Sequence, residues 1–313
     1  MINVIISEKS VLTDSICRLK LRAATGLELP KATPGSHIDV HLPNGLIRQY
    51  SLCSELDAQD YEIAVLNEPQ GRGGSAYVHA SLKVGDSLTI SDPKNLFPLD
   101  VTANKTLLIA AGVGITPILT MAEYLLQQGA DFSLHYCAKS PEQTAYFERI
   151  NNSGLAKFSH FHFSQNCRID LQQVIQASHK DLHLYVCGPA AFNDAVIDCA
   201  TSKNWQSTHI HREYFSAAPI DHSDDGSFEI EINSSGDILT VPADQSMLDV
   251  LEDHGYFIPM ACAEGVCGTC ITGLLSGQAD HKDVFMTAEE HAKMDQITPC
   301  CSRAKSARLT LDL

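Results

Sequence analysis

The chain has 313 residues, 44% of them hydrophobic and 19% charged, and a net charge of −16. That length predicts two or three domains rather than one core. The acidity argues against nucleic acid as a partner, since phosphate binding needs basic patches. No run reaches the roughly 18 apolar residues of a membrane span, so no membrane partner is expected.

The start, MINVIISEKS, carries only the short apolar run Val4-Ile5-Ile6. Without a basic segment before a long apolar stretch it predicts no signal peptide, and a cytoplasmic location follows. The eleven cysteines are then expected as buried thiols or metal ligands, because a reducing compartment disfavours disulfides. From Ser227 to Leu313 there are fourteen Asp and Glu against five Lys and Arg, a balance of −9. This is either a solubility feature or a means of steering towards a basic partner protein.

Up to about Leu99 the runs SHIDVHL, LIRQYSL, YEIAVLN and DSLTIS are short, alternating and closely punctuated. They predict antiparallel strands in a sandwich or small barrel. The pattern changes at Lys105. TLLIAAG reads as a buried strand and ITPILTMAEYLLQQG as a helix, with Thr116 as N-cap, Pro117 at the first helical position and Gly129 past the end. FSLHYCA and LHLYVCG read as further buried strands, and PAAFNDAVIDCATSKN as a second helix. Strands alternating with helices predict a parallel sheet covered on both faces.

SAAPIDHSDDGS is small, polar and acidic, and reads as a linker. Beyond it come a hairpin turning at Ser235-Gly236, a short helix in SMLDVLEDHG ended by Gly255, and a last strand, RLTLDL. The expected division is 1–101, 102–215, a linker 216–226, and 227–313.

The densest chemistry lies in CAEGVCGTC. Cys262-x4-Cys267-x2-Cys270, with Cys300 after 29 intervening residues, is the plant-type [2Fe–2S] spacing. Two bridged irons need four thiolates, and one loop wraps three of them round the cluster. Ala261, Ala263, Gly265, Gly268 and Thr269 are small enough for backbone N–H groups to approach the sulfurs and tune the potential. A zinc site would show a second close pair, which is missing. A dithiol motif at Cys267 and Cys270 would leave Cys262 and Cys300 unexplained. Cys301 competes for the fourth position. If Cys300 starts the final strand pointing inwards, Cys301 points away, so only one can ligate.

Arg48-Gln49-Tyr50-Ser51-Leu52, Gly71-Arg72-Gly73-Gly74-Ser75, Gly112-Val113-Gly114-Ile115-Thr116-Pro117 and Cys187-Gly188-Pro189 occur in that order before the cysteine loop. The set resembles the phthalate dioxygenase reductase family, which includes vanillate demethylase reductases, over nearly the whole chain. The resemblance implies a multidomain fold: an antiparallel β-barrel flavin domain, an α/β parallel-sheet nucleotide domain, and an α+β β-grasp ferredoxin domain.

It also implies roles. Arg48, Tyr50, Ser51 and Leu52 would bind FMN, the arginine as a fixed cation for its phosphate and the tyrosine as a flat ring. Gly73, Gly74 and Ser75 precede the helical pattern AYVHASL, and their N–H groups and hydroxyl suit the 5′-phosphate. Gly112, Gly114, Thr116 and Pro117 would hold the pyridine nucleotide, although Pro117 stands where the full fingerprint has a third glycine. Cys187, Gly188 and Pro189 would lie near the nicotinamide. Glu213 and Phe215 would end the module, the aromatic covering the flavin, with Tyr214 a competing aromatic. Lys139 beside Ser140 could meet a 2′-phosphate of NADPH, but the family mostly uses NADH, which is the expectation. FMN over FAD rests on the resemblance and on the lack of an obvious adenine site. His209 and His211 share a strand face; with no third ligand beside them, they are expected to be structural.

The implied activity is an NADH-dependent reductase component of a two-component Rieske-type oxygenase, passing electrons from NADH through FMN and a [2Fe–2S] cluster. The partner oxygenase would demethylate or hydroxylate a small aromatic or methylated amine. No acid–base residue is needed, with Ser51 and Cys187 beside the reacting atoms. A monomer is expected. The alternatives are a reductase for a cytochrome P450 or a separate ferredoxin, and a redox-sensing flavin and iron–sulfur module.

Overall fold

Alternating apolar residues in the first part of the chain build one antiparallel sheet. A computed structural model describes residues 1–55, 58–177, 181–216, 225–260 and 262–313. The expected linker therefore lies largely outside the described residues. The chain divides into two units, Met1–Glu213 and Tyr214–Leu313.

In the first unit, strands β1 (Ile2–Thr13), β2 (Ile16–Ala23), β3 (His37–His41), β4 (Ile47–Ser51), β5 (Tyr61–Leu66) and β6 (Ser87–Ile90) form a sheet in the order β4-β3-β6-β1-β2-β5. A bridge between Leu52 and Ile63 joins the β4 edge to the β5 edge and closes the barrel. Ile6, Leu19, Leu21, Ile38, Ile63 and Ile90 fill it. Each such side chain stabilises by about 1.5–3 kcal/mol relative to exposure. Helix α1 (Gly74–Ala80) lies against β5. The long β1–β2 pair is absent from the sequence reading. A register shift between Ile6 and Glu8 breaks the alternation, and the tight turn at Asp14-Ser15 carries no glycine.

The second sheet is wholly parallel. Strands β7 (Lys105–Ala111), β8 (Asp131–Ala138), β9 (Ser159–Phe163), β10 (Leu182–Cys187) and β11 (Ile210–Glu213) take the order β11-β10-β7-β8-β9. Helix α2 (Ile115–Gln128) packs on the face carrying Leu108, Ala110, Tyr185 and Cys187. Short helices α3 (Phe147–Asn151) and α4 (Leu171–Val174) follow, and α5 (Ala190–Ser202) covers the face carrying Ile109, Leu184 and Val186. Alternate residues of each strand thus serve opposite layers. The expected N-cap is corrected. A 3₁₀ turn at Gly112–Gly114 leads directly into α2, so Thr116 lies inside its first turn and donates its hydroxyl to the Val113 carbonyl at 3.0 Å. Gly129 ends the helix in the left-handed region, φ 66°, as anticipated.

In the second unit, β12 (Phe228–Ile232) and β13 (Ile238–Val241) form the hairpin, with Gly236 at φ 76°. Helix α6 (Met247–Asp253) starts at a reciprocal cap between Ser246 and Asp249. Strands β14 (Thr272–Ser276) and β15 (Ala279–Asp280), helix α7 (Ala288–Lys293), and strands β16 (Gln296–Ile297), β17 (Arg303–Ala304) and β18 (Arg308–Asp312) complete it. The sheet order β13-β12-β18-β14-β16, with β12 and β18 parallel, is covered by Met247, Leu248, Val250 and Leu251 of α6. This is a β-grasp arrangement. Among the described residues, no helix is long and apolar enough to cross a membrane.

Candidate redox centre

Arg48, Tyr50 and Ser51 lie on β4, opposite Val40, Ile38 and His37 of β3. The Arg48 guanidinium donates to the carbonyls of Ile47 at 2.7 Å and Arg72 at 2.8 Å. Its side chain passes so close over Gly74 that a β-carbon there would meet Arg48 Nε at 2.6 Å. Gly73, at φ 79°, turns the chain into α1. Arg48 and Gly73–Ser75 are thereby brought together, which proximity in sequence did not require. The Ser75 hydroxyl accepts the Glu68 N–H at 3.0 Å and ties down the loop before it. Burial raises the Tyr50 pKa and keeps its phenol neutral. Leu52 is buried in the barrel at the closing bridge.

The barrel meets the parallel sheet at Ser51. Its hydroxyl faces the carboxylate of Glu213, which lies beside Cys187 on neighbouring strands. Burial pushes Glu213 up to about 8, against the opposing pull of Ser51. Glu213 Oε2 is buried without a hydrogen-bond partner among the described residues. Burial also raises the Cys187 thiol well above its usual range, and the Glu213 charge adds to this. Ser51, Cys187 and Glu213 therefore form one buried group from two sheets.

That group sits at the carboxyl edge of the parallel sheet. There β7 continues to β8 on one side while β10 lies on the other, the switch point at which such sheets bind ligands. A β-carbon on Gly114 would stand 2.2 Å from the Cys187 carbonyl oxygen, and one on Gly188 would stand 2.9 Å from Ala111 Cβ. Gly112 takes φ 56°, and Tyr136 donates its hydroxyl to the Gly112 carbonyl at 3.0 Å. Thr116 and Pro117 are buried in the first turn of α2, and Pro189 caps α5. Ser140 is buried at the end of β8, before a 3₁₀ turn, and Lys139 precedes it. Phe215 belongs to the second unit and is 41% exposed.

His209 and His211 have neighbours that the sequence reading missed. His183 Nδ1 lies 2.9 Å from His211 Nε2 and 3.8 Å from Asp100, and the His183 and His209 rings stack. Burial lowers His211 to about 4. The group lies at the amino-terminal ends of β10 and β11, away from Cys187.

In the second unit, Cys262, Cys267, Cys270 and Cys300 are gathered into one sulfur set. Cys300 is within hydrogen-bonding reach of Cys262, Cys270 and its neighbour Cys301, and Cys262 of Cys267. Those contacts hold the Cys262 thiol far below the usual range. Four converging sulfurs fit the all-thiolate donor set of an iron–sulfur cluster. Glu264 N–H points at Cys262 Sγ at 3.4 Å, and the Thr269 hydroxyl is 3.3 Å from Cys267 Sγ. Ala263, Gly265 and Gly268 all take positive φ, which turns the loop inward.

One expectation is corrected here. Cys300 and Cys301 stand in a turn before β17, not at the start of the final strand, so strand alternation does not separate them. The turn does. The Cys301 thiol is buried against Thr298 Oγ1 at 3.4 Å and against Gly265, where a β-carbon would come within 2.6 Å of its sulfur.

A closed barrel, a parallel sheet and a β-grasp unit with four gathered cysteines define an electron-transfer oxidoreductase of modular build. Residues 230–305 match the 2Fe-2S iron-sulfur cluster binding domain, and residues 93–210 match the dimethylamine monooxygenase subunit DmmA-like, N-terminal domain. Vanillate O-demethylase oxidoreductase of Pseudomonas sp. (strain HR199 / DSM 7063) is 48% identical over 317 residues, covering 100% of both chains. Phthalate dioxygenase reductase, described as a modular structure for electron transfer from pyridine nucleotides to [2Fe–2S], superposes with a TM-score of 0.74. It is 36% identical, over 99% of this chain and 97% of that one. An intact type IV self-sufficient cytochrome P450 monooxygenase superposes with a TM-score of 0.89 at 32% identity, over 100% of this chain but only 41% of its own. The chain belongs to the family of vanillate O-demethylase oxidoreductase and phthalate dioxygenase reductase. It is an electron-transfer reductase component of an oxygenase system, with a [2Fe–2S] ferredoxin domain.

Proposed function

We propose that the chain is the NADH-dependent reductase component of a two-component Rieske-type oxygenase, with FMN in the barrel and NADH at the carboxyl edge of the parallel sheet. The observation that carries this is the meeting of Ser51, Glu213 and Cys187 where barrel and sheet join. FMN, when bound, supplies a carrier that takes two electrons as a hydride and releases them singly to the cluster.

The protein's own groups bind and orient. Arg48 offers a fixed cation to the flavin phosphate, together with the backbone N–H groups of Gly73, Gly74 and Ser75. Tyr50 and Leu52 give the ring an apolar wall. Ser51 holds its proton towards Glu213, and Glu213, raised to about 8, stays a neutral acid near pH 7 and keeps negative charge out of the site. Gly112, Gly114 and Gly188 let the nucleotide approach the strand ends, with Thr116, Pro117 and Pro189 fixing the two helix starts. Ser140 and Lys139 border the ribose side, where NADPH is the alternative. Cys262, Cys267, Cys270 and Cys300 ligate the cluster, and Cys301 packs behind it.

We assign residues 1–101, 102–215 and 227–313 to the flavin, nucleotide and ferredoxin domains, with 216–226 as linker. The protein acts as a cytoplasmic monomer, its partner a terminal oxygenase acting on a small aromatic or methylated amine. A cytochrome P450 partner is the second reading, favoured by the likeness to a chain that joins the two.

The test is a visible spectrum before and after anaerobic NADH, with the released flavin identified. Flavin and cluster bands that both bleach support the path. A coloured protein that fails to oxidise NADH with ferricyanide overturns it and leaves the redox-sensing reading, and a colourless protein overturns both.

A further inference from the structure

His281, Asp283 and His291 meet outside the cysteine set. His281 follows β15, His291 lies on α7, and Asp283 stands between them in sequence. Asp283 Oδ1 is 3.1 Å from His291 Nε2 and 3.8 Å from His281 Nδ1. One ligand atom from each of the three lies within 4.8 Å of the other two. The carboxylate is oriented on both oxygens. Thr298 Oγ1 donates to Oδ1 at 3.2 Å, and the Met286 N–H donates to Oδ2 at 2.8 Å.

The His281 side chain is only 5% exposed, and both of its ring nitrogens are buried with no hydrogen-bond partner among the described residues. A buried polar group left without a partner is destabilising. The ring stacks on His291, with centroids 4.2 Å apart and planes within 10°. Stacking covers ring faces and satisfies neither nitrogen. Burial lowers the His281 pKa and favours the neutral imidazole, the form that ligates metals.

We propose that His281, Asp283 and His291 bind one divalent cation of the zinc class. Two imidazoles and a carboxylate, with water in the fourth position, make a suitable donor set. Thr298 and Met286 are the outer partners that fix the carboxylate. His291, with its side chain 25% exposed, turns out of the stack to direct Nε2 at the ion. The segment so fixed lies on the cysteine loop, since Val284 and Phe285 N–H both donate to the Gly265 carbonyl at 3.1 and 3.2 Å. The ion is structural and carries no electrons.

The test is calorimetric titration of the cluster-replete full chain with Zn²⁺ after passage over a chelating resin. His281→Ala, His291→Ala and the control pair His209→Ala/His211→Ala are titrated alongside. The wild type and the control pair should bind one equivalent whose affinity falls at least tenfold in each of the other two variants, with the cluster spectrum unchanged. Should His281→Ala lose the cluster, His291→Ala, on the outer helix, decides. No zinc binding to the wild type, or equal binding to the wild type and His291→Ala, overturns the proposal.

Discussion

Gly114 lies directly against Cys187: a β-carbon would stand 2.2 Å from the cysteine's carbonyl oxygen and 2.7 Å from the next backbone nitrogen. The first turn of α2 and the end of β10 are thus held at a separation only glycine allows. Gly114→Ala must push them apart by an ångström or more. A misplacement of that size costs roughly 10²-fold in rate. NADH-dependent ferricyanide reduction should fall on that scale while the cluster spectrum of the second unit survives. Steady-state rates at wild-type level would show that this contact does not position the nucleotide.

Arg48 and Gly74 make a second contact of the same kind in the barrel. Gly74→Ala displaces the guanidinium, and Arg48→Lys removes its two-donor geometry while keeping the charge. A charge-assisted hydrogen bond contributes about 1.5–3 kcal/mol, so both variants should weaken FMN binding by roughly tenfold or more. Quenching of FMN fluorescence on titration into apoprotein measures it. Unchanged affinity in both variants would remove the phosphate from this place.

The division of labour between adjacent cysteines is equally open to test. Cys300 reaches Cys262 and Cys270, whereas Cys301 touches Cys300 and is packed against Thr298 and Gly265. Cys300→Ser should lose the cluster's visible absorbance while ferricyanide reduction persists through the flavin. Cys301→Ser should keep the cluster. The reverse pattern would exchange their roles.

What the sequence revealed, and what it hid, follows from range. Strands with both faces buried, such as β7 and β10, are continuous apolar runs and were legible, as was the cysteine spacing. β1 and β2 were not, because a bulge after Ile6 interrupts the alternation. The N-cap was misplaced because a 3₁₀ turn precedes α2, so Thr116, a plausible cap by type, is carried inside the helix. His183 was invisible beside His209 and His211, since only the pairing of β10 with β11 unites them. His281, Asp283 and His291 span a loop and a helix and follow no metal-site spacing. In each case the missing information was a tertiary contact.

The excess of fourteen acidic over five basic residues from Ser227 onward carries a prediction about the partner. If that field guides docking, reduction of the oxygenase should slow as salt rises, because the Debye length shortens to about 8 Å at physiological strength. Ferricyanide rates in the same buffers correct for effects of salt on flavin and nucleotide sites. A corrected partner-coupled rate that does not change between low and high salt would leave the charge as a solubility feature.

Glu213 links stability to pH. The carboxylate ionises near its ordinary value of 4.5 in the unfolded chain, but burial raises it to about 8 in the folded one. Between those values the folded state holds one more proton than the unfolded state. Stability is therefore undiminished below about 4.5 and falls by about 1.4 kcal/mol per pH unit as pH rises towards 8, where the loss levels off. Glu213→Gln keeps the shape of the protonated acid and cannot ionise. The two proteins should melt at similar temperatures at pH 5 and diverge by pH 8, the variant being the more stable. The contribution of Ser51 sharpens the test, because its hydroxyl beside the carboxylate works against burial. Ser51→Ala should carry the loss on to higher pH at the same slope in the wild-type background and leave the Gln variant's profile flat. Parallel melting profiles for Glu213→Gln and the wild type across this range would mean that the carboxylate reaches water, and that the junction of barrel and sheet is wetter than this geometry makes it.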